Sequence, residues 1–207
     1  MEPPSQTESF ADKAVDEDGW FFTAEDLLAA AKALEPAMEG YWRLQRERAQ
    51  LEDSEFRVFD YEPDVRGPYL MLTAYAIENF CKAVVMCDSW WLIFEKKELP
   101  RKFTKHDLLE LLKRVGIPLS SEDEELAFRL ERSAVWAGRY PVPTHPAHRT
   151  LYFTRARGEK VVPSWHREDD VKLAKDLVER VRDFVVKELE ARHQAEINRA
   201  LHPRSED

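Results

Sequence analysis

Cysteine is scarce in this chain: two in 207 residues, with no paired Cys/His spacing. That argues against a disulfide scaffold, a zinc finger and an iron–sulfur protein, and a chain of this length buries enough core to fold without such staples. Glycine is nearly as scarce, at six. The chain has no Gly-rich phosphate loop ending in Lys-Ser/Thr, no dinucleotide fingerprint, no Gly-x-Ser-x-Gly elbow and no His-Glu-x-x-His. An ATPase, a Rossmann oxidoreductase, an α/β-hydrolase and a zincin all lose support, and no metal or cofactor is expected. There is no long uncharged hydrophobic run either. The most apolar stretch, Tyr69 to Phe94, carries Glu78, Lys82 and Asp88. Each charge costs about 2.5–3.5 kcal/mol at mid-bilayer, so the stretch reads as a buried helix and no membrane partner is expected. The net charge of -9 lacks the positive excess of a wholesale nucleic-acid coat.

Residues 1–18 hold six acids against Lys13 and no apolar core of signal-peptide length. They read as a disordered acidic tail, with a cytoplasmic location expected. Residues 19–202 read as a single domain and 203–207 as a second tail. The fold class expected is all-α, an antiparallel bundle of about five helices with a small β-hairpin before the last. A first helix is expected from about Ala24 to Gln50, with Thr23 as N-cap and Pro36 kinking or splitting it. A second, apolar nearly all round and therefore central, spans about Tyr69 to Lys96. A third, Lys105 to Val115, has Thr104 as N-cap and Gly116-Ile117-Pro118 as its stop. A fourth opens on the box Ser121/Glu124 and ends at Gly138. Residues 139–167 lose helical period, and Thr150 to Thr154 and Val161-Val162 flank Arg157-Gly158-Glu159 as a hairpin. The last helix runs from about Glu168 to Leu201 and turns polar beyond Arg192.

Charge placement is the sharpest functional feature. Segment 139–167 holds Arg139, Arg149, Arg155, Arg157, Lys160 and Arg167 against the single acid Glu159, a local +5 in a chain of -9, so the remainder carries -14. Guanidinium forks match phosphate oxygens, which makes Arg149, Arg155, Arg157, Lys160 and Arg167 candidate phosphate or nucleic-acid contacts. The competing reading pairs these cations with acids of the same chain, such as Glu122 to Glu125 and Asp169-Asp170. His145 is a candidate acid or base, with Arg139 six positions earlier as a stabiliser of phosphate charge. His106-Asp107 reads as an acid–base pair or as a packed histidine beside a helix cap. Glu78 and Lys82, four apart on the central helix, read as a structural ion pair or as a buried polar group with a role.

The segments Ala74-Tyr-Ala-Ile-Glu78-Asn-Phe-Cys-Lys82-Ala83 and Thr104-Lys-His106-Asp107-Leu108-Leu109-Glu110-Leu111 resemble the HEPN superfamily of small helical domains. In that family a long helix with Glu-x-x-x-Lys-Ala is paired with a shorter one opening on His-Asp-Leu. The resemblance covers roughly residues 69–138. It implies a helical bundle, usually a homodimer, associated with RNA or nucleotides, and often part of toxin–antitoxin or anti-phage systems, with an antitoxin or other protein as partner. Catalytic members are metal-independent endoribonucleases with Arg-x4-6-His, a spacing present here as Arg139 to His145 and as Arg101 to His106. Pro141 and Pro143 exclude a regular helix between Arg139 and His145. Two alternatives therefore stay open: a catalytically inactive homodimeric or partner-binding helical module, and an arginine loop closing over a small anionic metabolite.

Overall fold

The structure, a computed structural model, describes residues 13–50, 63–87, 93, 95, 99, 106–137, 153–154, 160–161 and 169–201. Six helices make up nearly all of it: α1 (Glu17–Lys32), α2 (Glu35–Arg48), α3 (Arg66–Cys87), α4 (Leu108–Val115), α5 (Ser121–Arg132) and α6 (Asp170–Leu201). The all-α expectation stands. Phe153–Thr154 and Lys160–Val161 pair antiparallel, Phe153 opposite Val161 and Thr154 opposite Lys160. The residues that would join and flank them as a hairpin insertion lie outside the described ones. No helix among the described residues is long and apolar enough to cross a membrane.

Local chemistry sets the helix boundaries. Pro36 sits in the first turn of α2, where it lacks no needed donor, so the long first helix splits at Ala33–Leu34. The start differs from expectation: residues 13–15 are already helical, Asp16 is the N-cap of α1 and Ala14 is buried, so residues 13–18 are not a disordered tail. The anchor is Trp20, whose indole N–H donates to the Ala14 carbonyl at 2.9 Å. Thr23 lies inside α1 and turns its hydroxyl back to the Gly19 carbonyl. Thr104 and residues 1–12 lie outside the described residues. Asp107 caps α4 by accepting the Glu110 N–H, and Gly116 ends it in the left-handed region at φ 90°, as its lack of a Cβ allows. In α5 the reciprocal capping box is Ser120 with Asp123, one residue earlier than expected. Both serines offer the motif, and Asp123 is the acid that also meets Arg180 of α6.

Ion pairs and ring contacts fix how the helices run. Trp20 and Phe21 meet Lys82 and Phe80 of α3, while Ala31 and Tyr69 line one cavity, so α1 and α3 are antiparallel. Glu25 of α1 pairs with Arg182 and Glu35, just beyond the end of α1, with Lys175, so α6 is antiparallel to α1. Arg129 pairs with Asp170 and Asp123 with Arg180, so α5 and α6 are antiparallel. The central α3 breaks the expected pattern: Thr73 lies near Val178 at one end and Arg192 donates to the Val84 carbonyl at the other, so α3 and α6 run in the same direction. The core is built around α3, whose Leu70, Ile77, Phe80 and Met86 are fully buried with Leu112, Leu126, Leu130, Leu177 and Val181. Each such side chain is worth about 1.5–3 kcal/mol relative to exposure.

Candidate functional site

The site expected from sequence falls mostly beyond view. Arg139, His145, Arg149, Arg155, Arg157 and Arg167 lie outside the described residues. Lys160 is described by its backbone alone, paired with Thr154. What the fold does bring together are the two segments that suggested a known family.

Glu78 projects from the middle of α3 into the core and is 4% exposed. A buried carboxylate needs partners for both oxygens, and it has them. Lys82, one turn on, places Nζ 2.5 Å from Oε1, and His106, just before α4, places Nδ1 2.8 Å from Oε2. Because a carboxylate only accepts, we assign the shared proton to Nδ1, which leaves His106 Nε2 as the outward nitrogen. Lys82 is 8% exposed and lies 5.2 Å from the Trp20 ring centre, so its ammonium has a carboxylate on one side and an aromatic face on another. The neighbouring Cys81 thiol is pushed up to about 12 by burial and then by the Glu78 charge, which makes it inert.

Two further groups complete the cluster. Tyr75 of α3 packs its ring 5.3 Å from the His106 ring and donates its hydroxyl to the Ala134 carbonyl at 2.8 Å. Ala134 belongs to a π-helical turn, Ser133–Ala137, that continues α5. The Ser133 hydroxyl donates to the Arg129 carbonyl. Two side chains thus bind main-chain carbonyls where the helix widens. Glu131 of α5 is pushed up to about 7, chiefly by burial and then by the charges of Asp107 and Glu78, against a Leu108 N–H that favours its ionised form.

Sequence reading did not single out Glu131. Its signal was position: it follows the fully buried Ala127 by four residues and precedes the buried Ala134 by three, so it shares their core-facing side. The cluster therefore holds three carboxyl groups, one ammonium and one imidazole. Among the described residues no three His, Cys, Asp or Glu side chains converge to hold a metal ion.

No family model, curated protein or solved structure matches the chain.

A separate cavity of about 310 Å³ lies between α1, α2, α3 and α6. Its lining includes Lys32, Lys175 and Arg182 but also Glu35 and Glu179, and Lys175 and Arg182 are paired with Glu35 and Glu25. Such a balanced lining selects no anion. Tyr69 in its wall is pushed up to about 12 by burial and the Glu35 charge.

Three of the six carboxylates named as internal partners for the basic segment, Asp123, Glu124 and Asp170, have cations of their own. Arg129 holds Asp170 through Nε and Nη2, with both side chains almost fully buried. Arg180 holds Asp123, and Lys113 holds Glu124 at 2.9 Å. Burial opposes ionisation of Asp123, but Arg180 and the Ser120 N–H and hydroxyl outweigh it, keeping its carboxyl below the ordinary range.

Proposed function

We propose that this chain is a HEPN-like helical domain that contacts RNA or a nucleotide through its basic segment, residues 139–167. The observation that carries the proposal is the engagement of Asp123, Glu124 and Asp170 by Arg180, Lys113 and Arg129. Three of the six acids that the sequence offers as partners for Arg139, Arg149, Arg155, Arg157, Lys160 and Arg167 are bonded to helical cations. An acidic body with a local excess of +5 repels polyanions over most of its surface and admits phosphate at one segment. The family reading is supported by the bond between Glu78 and His106, which gives the two matching segments a physical reason to occur together.

The test is anisotropy of a labelled single-stranded RNA between 50 and 200 mM salt. Each neutralised phosphate contributes about -0.7 to the slope of log affinity against log salt. Arg155→Ala with Arg157→Ala is expected to flatten the slope by about 1.4. An unchanged slope and affinity overturn the proposal. Cleavage is tested without metal on wild type and His145→Ala, where equal activity removes His145 from any mechanism and loss of activity assigns it one.

A further inference from the structure

We infer that the cavity between α1, α2, α3 and α6 binds a small zwitterion, an α-amino acid with an aliphatic side chain. The inference is independent of the nucleic-acid reading. It uses no residue of segment 139–167, and every group it names lies on a described helix.

Size and shape come first. At about 310 Å³ the cavity stands at the lower end of small-molecule sites, which run from about 300 to 1,000 Å³. Its inner wall is closed by Ala31, Tyr69, Thr73 and Val178, all buried, with Leu28 half-buried beside them. Two ion pairs cross to α6 along it, Glu35 with Lys175 and Glu25 with Arg182. Lys175 and Arg182 stand seven residues apart on α6, a rise of about 10 Å.

Those pairs leave two charges of the wall over, Lys32 of α1 and Glu179 of α6. Both are exposed, and neither side chain has an ion pair or hydrogen bond among the described residues. Lys32 lies between Glu25 and Glu35 in the chain, and Glu179 between Lys175 and Arg182, so both leftover charges fall within the stretch that the ion pairs mark out. A ligand with one charge meets one of them and leaves the other to water, whereas a zwitterion meets both.

The chemistry of each group narrows the class. The Arg182 guanidinium is committed to Glu25 through Nε, and a single ammonium without a fork suits a carboxylate better than a phosphate. Glu179 suits a primary ammonium, since a quaternary one calls for an aromatic cage and Tyr69 is the one ring in the described lining. The Tyr69 phenol, which burial and Glu35 keep protonated at neutrality, offers a donor. The Thr73 hydroxyl donates to the Tyr69 carbonyl at 2.9 Å and keeps lone pairs that accept. Leu28, Ala31 and Val178 supply apolar surface for a hydrocarbon side chain.

The experiment is calorimetric titration of the full chain with leucine, with 4-methylpentanoate, which lacks the ammonium, and with 3-methylbutylamine, which lacks the carboxylate. Leucine is expected to bind, and each analogue to bind about tenfold more weakly, the scale of one charge-assisted hydrogen bond. Lys32→Met is expected to weaken leucine about tenfold and leave 3-methylbutylamine unchanged. Glu179→Gln is expected to weaken leucine to the same degree and leave 4-methylpentanoate unchanged. Both residues are exposed, and a melting temperature equal to wild type without ligand shows that each variant folds.

No heat and no rise in melting temperature with leucine at 10 mM overturn the inference. Equal binding of leucine and both analogues also overturns it, because the cavity then takes hydrocarbon without reading charge. Leucine binding that neither variant weakens places the ligand elsewhere and overturns it as well.

Discussion

Glu131 offers the most direct test of the polar cluster, because its titration is linked to stability in a direction opposite to that of most carboxylates. The group is pushed from an ordinary 4.5 to about 7 in the folded chain by burial, Asp107 and Glu78. In the unfolded chain it ionises at its ordinary value. Between those two values the native state holds a proton that the unfolded state has released. Stability therefore falls as pH rises through that window and levels off above it. The distance from 4.5 to about 7, at 1.36 kcal/mol per pH unit, sets a ceiling of about 3 kcal/mol on the loss. Glu131→Gln keeps the shape and an acceptor for the Leu108 N–H but cannot ionise. Urea unfolding of both proteins at pH 5 and pH 8 isolates the effect, since ionisations common to the two largely subtract out. The variant should match wild type at pH 5 and exceed it at pH 8, by as much as about 3 kcal/mol. A difference of the same size at both pH values refutes the reasoning.

Three other perturbations have outcomes worked from the same structure. Asp170→Ala leaves the Arg129 guanidinium, already with no partner for Nη1 among the described residues, buried without its counter-charge. It should cost about 3–5 kcal/mol in urea unfolding; a loss under 1 kcal/mol would show that the pair is solvated. Ser120→Ala removes one half of the α5 capping box and should cost about 1 kcal/mol, read as a lowered melting temperature. In a Cys87→Ser background, Cys81, buried with its thiol pushed up to about 12, should resist a disulfide reagent in the native protein and react on adding denaturant. Prompt native reaction would contradict its placement.

Helix periodicity and stop signals in the sequence located the bundle elements because they act within one or two turns. Pro36, Gly116 and the apolar run of α3 each set a boundary or a burial from their own neighbourhood. N-caps were less legible where two residues offered the same motif. The choice of Ser120 over Ser121 goes with Arg180, 57 residues from Asp123, which no local pattern reports. Helix direction was legible only as a default for short loops, and the shared direction of α3 and α6 depends on contacts such as Arg192 with Val84. The candidate cluster divides in the same way. The spacing of Glu78 and Lys82 announced an ion pair. That Glu78 also takes His106, 28 residues away, and that Glu131 feels the charges of Glu78 and Asp107, depends on how α3, α4 and α5 pack.

The pairing of Glu25 with Arg182 spans 157 residues, which has a consequence during synthesis. The side of α3 that packs on α6 cannot be covered until α6 has been made. At a translation rate of 5–20 residues per second, an apolar face bearing several fully buried side chains waits about 5 to 25 s after α3 itself is complete. On the ribosome this bundle is a half-open structure in need of shielding, and its last helix is the step that closes it.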